Sequence, residues 1–518
     1  MSALGRRQFL ALNGAAMFAA SREWKAGPVR LILPTVSDRR ILVKAAFAEP
    51  QARAALRIGG ERTPGVRADS RGKYWWFDRG GLEPGREYSL QLTGARGQAL
   101  GDPWPLKTFP APQDSPRQLR VLLYTCAGGD ERARIPSGTK IFLSLAMRQA
   151  LLDRALSFAP DAVIANGDHI YWDLWQTGSA ARYGDVAREV GEFQRDLPVE
   201  GTPNEAVLDR VVEAQITALY GTRFRSTPVF APFDDHDYFE NDDALPTRVT
   251  FPPDPFMLAL GRAVRRWAIP EFLPDPARPA GLLGASAPDS PPGTAETYGT
   301  LRYGKLAEFL IYDCRRGMRL DGPTGVFVQR EAEAWLAARM AAADTSHLIH
   351  VPSTPPGWSA GKWGEWYPDV LDASGKLTTA IPKPFWQEGW AAQHDRILAA
   401  AAAMKDRIPL FVSGDLHAIG EARILRAGKR DLRRNPVVAM LPGPISTSGP
   451  GWPSAFRGTR ALPTAHCEVD ERVPAIEENG FLILDLTPEV ISARFFRWTP
   501  AAGDASLLRP FREITLKR

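Results

Sequence analysis

The sequence predicts an α/β protein in which a small all-β unit precedes a larger layered domain. Three observations point there. Short apolar segments recur between turn residues over 28–109, and from 118 onward apolar strand segments alternate with a helical pattern. Between these stretches stands Pro110-Ala111-Pro112-Gln113-Asp114-Ser115-Pro116, a linker composition. The 518 residues also exceed one ordinary domain, since domains run about 50–250 residues.

In the first unit the apolar segments lie at 29–33, 41–47, 54–58, 74–77 and 88–92, punctuated by Gly, Pro and Asp. That spacing suits a β-sandwich. Gly81-Leu82-Glu83-Pro84-Gly85-Arg86-Glu87-Tyr88 resembles the turn and tyrosine corner of fibronectin type III-like domains. A generic β-hairpin is the plainer alternative. The expected division is a sandwich over 28–109, a linker over 110–117 and a second domain over 118–518.

In the second unit 119–125 reads as a strand, and 162–165 as the next. Between them Leu143, Met147, Leu151, Leu152, Ala155 and Phe158 recur at helical spacing. Such alternation places functional residues on loops at strand ends. Residues 270–293, rich in Pro, Ala and Gly, read as a long surface loop.

At the start of the chain, Gly5-Arg6-Arg7-Gln8-Phe9-Leu10 precedes a small apolar stretch over 11–20. The layout is that of a signal peptide, and the paired arginines resemble a twin-arginine export signal. Residues 1–27 are therefore expected to engage the twin-arginine machinery, which carries folded proteins to the periplasm or beyond. A basic tail is the alternative. No later apolar run reaches 18 residues, so no transmembrane helix is expected. The net charge of +5 is small and no Lys/Arg-rich block occurs, which argues against specific nucleic-acid recognition. Cys126, Cys314 and Cys467, three cysteines far apart, do not make a disulfide framework.

Metal-binding groups follow apolar segments at five places: Tyr124-Thr125-Cys126, Asn166-Gly167-Asp168-His169-Ile170-Tyr171, Phe233-Asp234-Asp235-His236-Asp237, His347-Leu348-Ile349-His350 and Ser413-Gly414-Asp415-Leu416-His417. Taken alone, each reads equally as a capped turn or polar loop. Together they pose a charge problem. Buried carboxylates at Asp168, Asp235 and Asp415 repel one another and resist ionisation, and cations resolve that conflict. Carboxylate, imidazole, thiolate and phenolate donors suit two metals of differing hardness.

The order of these motifs resembles the calcineurin-like metallophosphoesterase superfamily, and within it the alkaline phosphatase D (PhoD-like) family. Gly167-Asp168-x-x-Tyr171 matches that family's Gly-Asp-x-x-Tyr. Asp234-Asp235-His236-Asp237, with Asn241 following, matches its Asp-Asp-His segment. Ser413-Gly414-Asp415-Leu416-His417 matches its Ser-Gly-Asp-x-His, and Cys126 stands where the family places a thiolate ligand. Asp313-Cys314-Arg315 is similar to its Asp-Thr-Arg. His169 departs from the usual Tyr, and His350 stands where only the wider superfamily has a metal histidine.

The resemblance implies a metallophosphoesterase-type β-sandwich core flanked by helices, preceded by the smaller all-β sandwich. It implies a first ion held by Cys126, Asp168, Tyr171 and His417, for which thiolate and phenolate suit Fe³⁺. It implies a second ion, Ca²⁺, held by Asp168, Asp235, Asp415 and His350, with Zn²⁺ or Mn²⁺ as other occupants of the pair. His236 would protonate the leaving oxygen or stabilise the transition state, and Arg315 would clamp phosphate or else form a surface salt bridge. The implied activity is hydrolysis of phosphate mono- or diesters, small molecules or phosphodiester polymers. The rivals are a dinuclear-metal enzyme on a non-phosphate substrate and a non-catalytic envelope-binding protein. Trp358, Trp363, Trp366, Tyr367, Trp386 and Trp390 crowd 357–390, either as a lid over the site or as packing for an insertion.

Overall fold

The computed structural model describes residues 23–135, 137–175, 184, 186–239, 249–273, 293–449, 454 and 458–518. Of the expected export segment, residues 1–22 lie outside the described residues. So do Asn241 and residues 274–292 of the expected loop.

The N-terminal part is a sandwich of two four-stranded antiparallel sheets. One sheet orders Val29–Val36, Ile41–Phe47, Tyr74–Arg79 and Val66–Arg67; the other orders Glu61–Pro64, Ala54–Ile58, Glu87–Gly94 and Trp104–Lys107. Every residue of Ile41–Phe47 is buried, because the strand is covered on both faces. Ile41, Val43, Ala45 and Phe47 pack inside the sandwich. On the other face Lys44 donates to Glu271 at 2.8 Å and to the Arg266 carbonyl at 2.9 Å. Beside it Tyr74 stacks on Trp267 at 4.9 Å and donates to Asp209 at 2.9 Å, which docks the sandwich on the larger part of the chain. Tyr88 Oη accepts the Glu83 N–H at 2.8 Å, so a hydroxyl ties that strand back to the preceding turn.

Two larger sheets follow. The six-stranded sheet orders Val229–Phe230, Ala162–Asn166, Leu119–Thr125, Asn479–Leu486, Val490–Trp498 and Arg512–Lys517, its first three strands parallel. At the centre of the eight-stranded sheet, Ala307–Tyr312, His347–Pro352, Leu410–Val412 and Val437–Pro442 run parallel. Side chains alternate between the faces of a strand. Val121, Leu123, Ile164, Ile349, Val351 and Val412 meet between the sheets, whereas Leu122, Tyr124, Val163, Leu348 and Phe411 face the helices. Burial on both faces explains why these strands read as continuous apolar runs in the sequence.

The Trp-rich segment is largely packing. Trp358, Trp366, Tyr367 and Trp390 are buried. Trp366 and Trp390 flank Phe327 with ring centroids 4.4 and 4.7 Å away. Trp363 and Trp386 are half-buried against the same core.

Candidate metal centre

The loops that leave the C-terminal ends of the parallel strands meet at one rim. Cys126 follows Leu119–Thr125, Asp168 follows Ala162–Asn166, Asp235 follows Val229–Phe230, and Asp415 and His417 follow Leu410–Val412. Cys126, Asp168, Asp415 and His417 all have positive φ, between 43° and 68°. Non-glycine residues seldom adopt that region, and such strain collects at functional sites.

The Gly-Asp pairs have a steric cause. A Cβ on Gly167 would lie 2.5 Å from Asp234 Cβ, and one on Gly414 would lie 2.4 Å from Thr125 Oγ1. Only glycine lets the loops approach this closely. Further bonds fix the approach. Cys126 N–H donates to Gly167 O at 3.2 Å and Gly128 N–H to Asp168 O at 2.9 Å. Buried Arg148 donates to the carbonyls of residues 127, 128 and 129, which holds the turn after Cys126.

Four sequence-predicted ligands converge. Cys126 Sγ lies 3.2 Å from Asp168 Oδ2, and Tyr171 Oη lies 3.2 Å from the same oxygen and 3.1 Å from His417 Nε2. Donor atoms of Cys126, Asp168 and His417 lie within 4.8 Å of one another. His417 Nδ1 is oriented by Thr447 Oγ1 at 2.9 Å. Asp168 Oδ1 is buried and has no hydrogen-bond partner. Burial, then the Asp168 carboxylate, pushes the Cys126 thiol and the Tyr171 phenol well above their ordinary ranges. Burial also lowers His417, leaving a neutral imidazole. An orphaned carboxylate oxygen among a thiol, a phenol and a neutral imidazole fits a metal ion, since thiolate and phenolate persist in such burial only beside a cation.

Asp234, Asp235 and Asp415 form a second cluster within 4.8 Å. Here cations of the chain itself already engage both oxygens of Asp415 and one of Asp234, while Asp234 Oδ2 is buried without a hydrogen-bond partner. Arg315 Nε donates to Asp234 Oδ1 at 2.7 Å and Nη2 to Asp415 Oδ2 at 3.1 Å. Lys362 Nζ pairs with Asp415 Oδ1 and lies 3.7 Å from Asp235 Oδ2. As arranged, this set does not fit a second ion. Arg315 is thus no surface salt bridge; it is buried among carboxylates.

His236 stands beside the first cluster, its donor grouped with those of Asp168 and Asp235. Its Nδ1 bonds to the buried carboxylate of Asp173. Burial opposes a charge on this ring, but Asp173, Asp235 and Asp168 outweigh it and raise the imidazole to about 10.

One predicted ligand is corrected. His350 does not reach the centre. It lies inside the His347–Pro352 strand, two residues short of its end, and the strand's alternation turns it toward the helix-facing core. Its Nδ1 bonds Tyr312 Oη at 3.2 Å and its ring stacks on Phe411 at 4.4 Å. His169, the departure from the family pattern, is structural too: its ring nitrogens bond Pro232 O at 3.1 Å and Tyr220 Oη at 3.3 Å.

Sequence reasoning missed Asp173 and Lys362 as site residues and left Asp237 without a role. Asp237 accepts from the N–H groups of Asp168, His169, Ile170 and Asp234, so it is the hub of the loop that carries Asp168. Its place in the Asp-Asp-His-Asp run was the available signal; Lys362, within the Trp-rich segment, had none.

Among solved structures the chain is similar to PhoD, with a TM-score of 0.58 and 14% identity over 95% of this chain and 90% of that one. It is also similar to a purple acid phosphatase from yellow lupin (Lupinus luteus) seeds, with a TM-score of 0.56 and 13% identity over 95% of this chain and 75% of that one. These likenesses establish a mixed α/β fold shared with PhoD and the purple acid phosphatase. No protein-family model and no curated protein matches the sequence.

Proposed function

We propose that this chain is an exported metal-dependent phosphoesterase that hydrolyses phosphate mono- or diesters. The observation that carries the reading is the convergence of Cys126, Asp168, Tyr171 and His417 around one orphaned carboxylate oxygen, with His236 beside it. The shared fold supports it. Export rests on the Arg6-Arg7 segment alone.

Cys126, Asp168, Tyr171 and His417 would hold the ion, with Fe³⁺ favoured by the thiolate and phenolate and Zn²⁺ or Mn²⁺ as other occupants. A bound ion supplies an acidified water and compensates charge on phosphoryl oxygens. The chain's own groups do the remaining work. His236, kept charged by Asp173, gives its proton to the leaving oxygen. Lys362 places fixed positive charge where phosphoryl oxygens gather negative charge, and Arg315 holds Asp234 and Asp415 beside it.

The test is elemental analysis of the full-length chain together with assays on p-nitrophenyl phosphate and bis-p-nitrophenyl phosphate. Metal-dependent release of p-nitrophenol from either ester is expected. Asp168→Ala should lose the metal, whereas His236→Ala should keep it and lose most turnover of alkyl phosphates, with a much smaller loss on p-nitrophenyl phosphate. A metal-replete chain inert on both esters would overturn the reading in favour of a binding protein or of a non-phosphate substrate.

A further inference from the structure

Asp235 and Asp415 are the carboxylates to which the family resemblance assigns a second ion, and both are already engaged. Asp415 spends one oxygen on Arg315 and the other on Lys362. Asp235 Oδ1 accepts the His236 N–H at 3.1 Å, while its Oδ2 lies 3.8 Å from Arg315 Nη2 and 3.7 Å from Lys362 Nζ.

Both cations are built into place. Arg315 N–H donates to Asp313 Oδ1 at 2.7 Å, and its Nη1 donates to the Gly364 carbonyl at 2.5 Å. A Cβ on Gly364 would lie 2.5 Å from that same Nη1, so the guanidinium needs a glycine there. Lys362 N–H donates to Glu365 Oε2 at 3.0 Å, and the Glu365 carboxylate also gathers Ser359 Oγ and Ala360 N–H. One buried acid thus shapes the turn that delivers Lys362 to the site.

We propose that Arg315 and Lys362 take the place of a second metal ion, so that the centre holds one ion beside two fixed cations. This rests on the metal reading above for the first position and departs from the two-ion arrangement that the resemblance implies. A divalent ion between Asp235 and Asp415 would have to expel Lys362 or sit within a few ångströms of both cations, and repulsion grows with the product of the charges. The two residues differ in role. Each guanidinium nitrogen of Arg315 already has a protein acceptor and its side chain is 2% exposed, so it is a positioning residue that holds Asp234 and Asp415. The Lys362 side chain is 12% exposed and is the cation placed to meet a phosphoryl oxygen.

The experiment is metal counting on the full-length chain, purified, offered excess iron, zinc, manganese and calcium, dialysed and analysed for elements. One ion per chain is expected, with no calcium binding by titration calorimetry. Lys362→Met keeps the length and removes the charge; it should raise the count toward two and increase calcium affinity at least tenfold. Lys362→Gln serves the same purpose if that variant does not fold. Two ions in the unaltered chain overturn this inference and leave the first position standing. No ion at all overturns both readings. A folded Lys362 variant that stays at one ion overturns the assignment of Lys362 as the excluding charge.

Discussion

Asp173 and His236, 63 residues apart in the chain, meet through a hydrogen bond between two side chains that are each 4% exposed. The carboxylate orients the imidazole by Nδ1 and sustains its charge, which suits the ring to give a proton to a reacting oxygen. Asp173→Asn should therefore lower kcat for alkyl phosphates by about 10²–10³-fold. The loss should be much smaller for p-nitrophenyl phosphate, whose leaving group needs little protonation. Equal losses on both substrates would deny the ring a role as acid.

The loop that carries Asp168 depends on one side chain. Asp237 accepts four backbone N–H groups from residues 168, 169, 170 and 234. Asp237→Ala leaves those donors buried and unmatched, so a loss of about 2–4 kcal/mol is expected. Thermal unfolding and metal content should fall together, and a metal-replete variant with unchanged Tm would refute the hub.

Gly414→Ala tests the approach of the loops. Its Cβ would stand 2.4 Å from Thr125 Oγ1 and 2.5 Å from the Asn166 carbonyl. Neither atom belongs to a flexible chain end, so the Asp415 loop must withdraw, at a cost of about 1–3 kcal/mol. Weaker metal retention on dialysis is the expected reading, with circular dichroism largely preserved.

His350 offers a check on pH. Burial lowers its pKa to about 3, against about 6.5 in the unfolded chain. Below about 6.5 the unfolded state binds a proton that the folded state refuses, so stability falls as pH drops toward 3, by at most about 5 kcal/mol for this group. His350→Phe should flatten that acid limb by one proton in pH-dependent denaturation and leave metal content unchanged. A lost ion would restore His350 as a ligand.

The candidate metal ligands were legible because each motif is local. Gly-Asp-x-x-Tyr and Gly-Asp-x-His keep their donors within a few residues of a strand end, where the chain must turn and the next loop lies close. The apolar runs were legible as strands for a related reason: burial on both faces removes polar residues from them. His350 failed because the same pattern, a histidine after apolar residues, describes a core ring as well as a ligand. Only the register of the strand tells them apart.

By itself the amino-acid order determined that candidate donors such as Cys126, Asp168 and His417 follow buried strands. Tertiary structure alone decided that Arg315 and Lys362 share Asp415, that Asp173 backs His236, and that Asp237 gathers the loop around Asp168. These pairings join residues 53 to 100 positions apart. Their energy comes from burying charges that must find partners in the interior, and no local spacing records which partner the fold supplies.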